Sequence, residues 1–140
     1  MFFCLTSLAI TWKSIHLWNY ARLHAIIGIN IEIQVDPMPF MESRILFYAS
    51  KLITGQIAEG EQYDKIKRVI SIIITDHPLI KQSDKFHHQF GLYDIESSVM
   101  LTDILEIHTL EIPKARKIIG NTTNAHLLDW MRFLDARTRS

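Results

Sequence analysis

The sequence predicts a single domain of mixed α/β or α+β class. Three observations carry that reading. INIEIQVD, residues 29–36, alternates strictly: Ile29, Ile31, Ile33 and Val35 point one way, Asn30, Glu32, Gln34 and Asp36 the other. Such alternation marks a strand with one buried face. FMESRILFYASKLITGQI follows, and its Leu46, Ala49, Leu52, Ile53 and Ile57 recur at helical spacing. VISIIIT, residues 69–75, is then a β-branched run with little polar interruption, as expected of a central strand buried on both faces. A strand, a helix and a strand in that order make a parallel pair joined by a right-handed crossover.

Each boundary has a local cause. Asp36-Pro37-Met38-Pro39 breaks the first strand. Ala, Leu, Lys and Glu favour the helix, and Gly60 is its expected stop, with Gly55 an interior weak point. Asp76-His77-Pro78 ends the second strand, with His77 in the turn. KFHHQFGLYD and DILEIHTLEI both read as strands, joined by a loop over residues 95–102, and so pair as an antiparallel hairpin. Phe86, His88, Phe90 and Leu92 share one face of the first. Ile104, Glu106, His108 and Leu110 share one face of the second. From Thr123 to Arg137 an amphipathic helix presents Leu127, Trp130, Met131 and Leu134, with Asn121 to Asn124 offering N-caps.

Composition narrows the function classes. The chain has 140 residues, 48% of them hydrophobic, enough for one domain with a sizeable core. Fifteen basic residues balance fifteen acidic ones, which argues against nucleic-acid binding by bulk charge alone and leaves local patches open. Lone Cys4 excludes an internal disulfide and a multi-cysteine zinc site, and a reducing cytoplasm is the default compartment. The apolar stretch from Phe2 to Trp12 is about half the length of a membrane span, with no positive region before it and no clear cleavage site after it. Residues 1–31 contain no Asp and no Glu. Chance in an apolar segment accounts for that, and so does a separate origin for the start of the chain. The reading therefore sets residues 1–28 apart from a domain at 29–140.

Glu32 and Gln34 lie on one strand face, about 6–7 Å apart. A hard divalent cation such as Mg²⁺ takes carboxylate oxygens and keeps several waters. In phosphodiester hydrolysis the metal polarises the phosphate and activates water. Glu32 suits such a metal and Gln34 suits the orientation of a water, but one carboxylate is rarely enough. A Glu-x-Gln pair on a strand is common and taken alone is weak. His87 and His88, being adjacent, point to opposite faces and do not readily share an ion. Lys65, Lys67, Arg68, Lys114, Arg116 and Lys117, and Arg132, Arg137 and Arg139 in the tail, read by default as solvated charge. The cluster of Trp130, Phe133 and Leu134 reads as a docking helix before a base-stacking platform.

INIEIQ, Arg44 in SRILFYASKL, Gln56, Gly60-Glu61-Gln62-Tyr63, KRVISIIIT, FHHQFGLYD, LTDILEIHTLEIPK and WMRFL form an ordered series. Over residues 29–134 it resembles the recombination-promoting nuclease and putative transposase family of the PD-(D/E)XK nuclease superfamily. The resemblance implies an α/β (mixed α+β) fold with a central mixed sheet flanked by helices, a restriction-endonuclease-like core. It implies an active site combining an Asp on one strand with Glu-x-Lys or Glu-x-Gln on the next, matched by Glu32 and Gln34. Glu32 would then be the metal ligand, Mg²⁺ the cofactor and DNA the substrate, cut endonucleolytically in recombination or transposition. Arg44, Lys51, Gln56 and Tyr63 match positions in and after the following helix. Arg44 and Lys51, on roughly one helix face, read equally as phosphate ligands or as solvated cations. Gln56 and Tyr63 read as packing and hydrogen-bonding support.

One departure from the pattern is plain. The superfamily Asp belongs a dozen or so residues before the Glu, and residues 14–28, SIHLWNYARLHAIIG, hold no carboxylate. Asp36 lies beyond Gln34 at the end of the strand and is a poor substitute. The expectation is an N-terminally incomplete family member, truncated or frame-shifted, with an impaired site. The alternative is a non-catalytic remnant that binds DNA, a second copy of itself or a full-length relative.

Overall fold

The computed structural model describes residues 27–119 and 124–138. Strand β1 spans Ile27–Gln34, helix α1 Met41–Thr54, strand β2 Arg68–Thr75, β3 His87–Tyr93 and β4 Met100–Glu111. Short helix α2, Ile112–Ala115, and helix α3, Ala125–Thr138, follow, and a 3-10 turn at Tyr63–Lys65 precedes β2. The four strands make one mixed sheet in the order β1-β2-β4-β3. β1 runs parallel to β2 from Ile27 opposite Arg68 to Gln34 opposite Thr75, and β2 runs parallel to β4. β3 returns antiparallel along β4, with register shifts after Phe90. The mixed α/β sheet, the central apolar strand and the hairpin are those expected from the sequence.

β2 is central because it has a neighbour on each side and packing on both faces. Ile73 faces α1 with Met41, Ile45 and Ile107. Ile74 faces the other way, into a core with Phe86, Leu110, Ile112, Ala115, Leu128 and Met131. Alternation therefore assigns β1 as well. Ile33 joins the core on the α3 side, and the polar set of the strand turns toward α1.

Several boundaries differ from expectation. α1 ends at Thr54, before Gly60. The Gly55 amide bonds back to Lys51 O at 2.9 Å, while Gly60 takes φ 85° in the turn beyond, where a side chain would be strained. β4 stops at Glu111 because Pro113 has no N–H for the ladder and suits the first turn of α2. On α3, Leu128 and Met131 are the buried residues, with Leu127 and Leu134 beside them. Trp130 is not in the apolar stripe. It is 64% exposed and packs edge-on against Phe133.

Candidate active site

Glu32 and Gln34 are buried, 6% and 3% exposed, on the sheet face covered by α1. Even residues of β1 face the helix, so both side chains arrive there by the period of two that places Ile31 and Ile33 on the other face. This is not a solvated strand face. Asn30 continues the row and donates to Ser71 Oγ at 3.3 Å. Gln34 donates through Nε2 to the Asp36 carbonyl at 3.0 Å, which fixes its amide at the end of the strand.

Arg44, next to core residue Ile45 on α1, directs Nη2 to within 3.5 Å of Glu32 Oε1. The contact is an ion pair, and Glu32 Oε1 and Arg44 Nε are both buried without a hydrogen bond. The arrangement thus holds one carboxylate with an unfilled acceptor, one carboxamide and one guanidinium. Lys51 does not join them; it is exposed, with Nζ 5.5 Å from the Phe47 ring centroid. Gln56 clamps a backbone segment: its Nε2 donates to Lys67 O at 2.9 Å, and Lys67 N donates to its Oε1 at 2.7 Å. Tyr63 begins the 3-10 turn and is 81% exposed.

A divalent metal needs more than this. Among the described residues no three His, Cys, Asp or Glu side chains gather where they could hold an ion. Asp36 is exposed and meets Gln34 through its carbonyl. Asp76 is engaged by Arg116, which also holds Asp135. The strand position expected to carry the superfamily Asp falls within residues 1–26, outside the described residues. That stretch contains no carboxylate in any conformation. Among the described residues, Glu32 belongs to no group of three such ligands.

Polar groups that the sequence reading left as solvated charge turn out to be organised. Lys114 is 7% exposed and pairs at 2.7 Å with Glu111, which is fully buried and accepts the Leu79 and Ile80 amides. Arg68 binds Glu106, and Glu106 also accepts from Gln89 and sits 2.7 Å from His108 Nε2. His108 Nδ1 in turn lies 2.8 Å from His87 Nε2. The alternation of Glu106 with His108 is visible in the sequence. Their partnership with Gln89 and His87 depends on hairpin register, which the sequence does not reveal.

The match with known proteins agrees with this geometry. A family model described as PD-(D/E)XK nuclease family transposase matches residues 13–140. The match begins inside the segment that the sequence reading sets apart. No curated protein and no solved structure matches the chain. No helix among the described residues is long and apolar enough to cross a membrane. With a matching mixed sheet, and a family model covering all but the first twelve residues, the chain belongs to the PD-(D/E)XK nuclease family transposases.

Proposed function

We propose that this protein is a DNA-binding member of its nuclease family in which half of the hydrolytic centre is built. The observation that carries the reading is Glu32: a buried carboxylate beside Gln34, with one oxygen free of hydrogen bonds and, among the described residues, Arg44 as its paired cation. A carboxylate is not buried in this way for solubility. Its burial supports reading Glu32 as a metal ligand, with Arg44 supplying the compensating charge.

The family generally uses divalent metal ions, and Mg²⁺ chemistry on a phosphodiester calls for more carboxylate than Glu32 alone provides. This chain therefore engages DNA without efficient cleavage. Zero net charge gives no general pull toward DNA, so binding falls to local cations, with exposed Lys51 first among them.

Plasmid nicking and fluorescence anisotropy with duplex DNA test the reading together. With Mg²⁺ or Mn²⁺, nicking by the wild-type chain should not exceed that of Glu32→Ala. DNA binding should persist in both, and Lys51→Ala should lower the salt slope of binding by about one. Metal-dependent nicking lost in Glu32→Ala would mean that another carboxylate completes the site, and the half-built reading would fall. Absence of DNA binding by a folded sample would remove the DNA reading itself.

A further inference from the structure

On the sheet face opposite Glu32, we infer that His87 and His108 form a two-imidazole site for a borderline transition-metal ion, Zn²⁺ or Cu²⁺, with Glu106 as the supporting carboxylate. His87 Nε2 and His108 Nδ1 face each other at 2.8 Å, with ring centroids 5.1 Å apart and planes 13° from parallel. A carboxylate only accepts, so His108 carries its proton on Nε2, toward Glu106 Oε1 at 2.7 Å. That leaves the Nδ1 lone pair directed at His87. A carboxylate that fixes the tautomer of an imidazole, leaving a lone pair on its other nitrogen, is the recurrent support of metal-ligating histidines.

The support is itself held. Glu106, 9% exposed, is gripped by Arg68 from β2 and Gln89 from β3, so three strands fix one carboxylate. Without an ion, His87 donates its Nε2 proton to His108. With one, that proton sits on His87 Nδ1 and both facing lone pairs bind the metal, with no net proton released. The two nitrogens meet head-on in the 5.1 Å centroid spacing; on one tetrahedral zinc they stand roughly 3.3 Å apart, so each ring must turn by roughly 35° as well as open by about 0.5 Å. The His108 side chain is 20% exposed, which lets water complete the coordination. The protein contributes two ligands here and not three, in keeping with the lack of a larger cluster among the described residues. Imidazole nitrogen favours Zn²⁺ and Cu²⁺, whereas Mg²⁺ seeks oxygen, so this site and Glu32 call for different ions.

Calorimetric titration of the untagged, chelator-stripped chain with ZnCl₂ and then CuCl₂, in excess Mg²⁺, tests the inference. One equivalent of each should bind, Cu²⁺ more tightly than Zn²⁺. His87→Gln and His108→Gln should each weaken binding at least tenfold, and Glu106→Gln by about tenfold or more. His126→Gln, on exposed α3 surface, should leave it unchanged. Imidazole nitrogen NMR should show His87 and His108 shifting in the wild-type chain, a readout that does not depend on how the variants fold. Absence of binding, or shifts confined to other histidines, would overturn the site.

Discussion

Among the described residues Glu32 meets one cation, Arg44, across 3.5 Å, and that spacing sets what each substitution should do. A buried carboxylate stripped of its counter-ion is costly, whereas removing both charges is often close to neutral. Arg44 keeps about a quarter of its side chain in water, 26%, so the penalty is discounted from that of a fully buried pair. Arg44→Ala should destabilise the chain by about 2 kcal/mol, and Glu32→Gln with Arg44→Met by clearly less. Urea unfolding of Arg44→Ala, of Arg44→Met, of Glu32→Gln and of the double variant measures the coupling. Equal losses for Arg44→Ala and the double variant would deny the pair any role. His88 offers the opposite case. Both of its ring nitrogens are buried without a hydrogen bond, and Glu111 is 3.8 Å away. Replacing an unsatisfied polar ring with an apolar side chain removes a desolvation cost, so His88→Leu should stabilise by about 1 kcal/mol at neutral pH. A lower urea midpoint would show that the ring contributes more by packing, including its stack on Phe90, than its nitrogens cost.

Between α1 and β2, one side chain sets how the crossover closes. Gln56 binds both the N–H and the C=O of Lys67, fixing the chain one residue before β2 begins. Gln56→Ala should cost about 1 kcal/mol, and the Lys67 amide should exchange with solvent faster while the amides of β2 stay protected. Uniform loss of protection through β2 would mean that the clamp supports the whole sheet. That contact also shows where sequence reading stops. The strict alternation of residues 29–35 and the β-branched run of 69–75 were enough to place β1 and β2, because period and burial follow directly from side-chain chemistry. Glu32 and Gln34 stood out for the same reason. Their burial under α1 and the Arg44 pairing depend on helix rotation over the sheet, which no local pattern encodes. The Glu106–His108–His87 chain needs the pairing of Gln89 with His108, beside a hairpin whose register shifts after Phe90. Lys114 looked solvated because its partner, Glu111, gave no sign of being enclosed.

Across the whole molecule, three histidines tie folding to pH. Burial holds His87, His88 and His108 below the usual histidine value of 6.5. His108 and His88 add to the effect at His87, and Arg68 adds to it at His108. At His88 the Glu111 charge opposes burial, while Lys114 and Lys85 reinforce it. The unfolded chain therefore takes up protons near pH 6.5, before the folded chain does. Stability from this source is complete above that pH and is lost as pH falls from it through the depressed folded values. The rings lie on both faces of the sheet, so the loss should register as cooperative weakening of the whole domain. Urea midpoints measured with chelator present should be level from pH 8 to about 7 and should fall between about 6.5 and 5. His108→Asn, which removes one titrating ring, should flatten that fall even where it lowers the midpoint at pH 8. Because the comparison is of slopes, a variant that is merely less stable cannot imitate the result. A midpoint that rises on acidification would mean that the rings gain protons on folding, which would require Glu106 and Glu111 to outweigh burial.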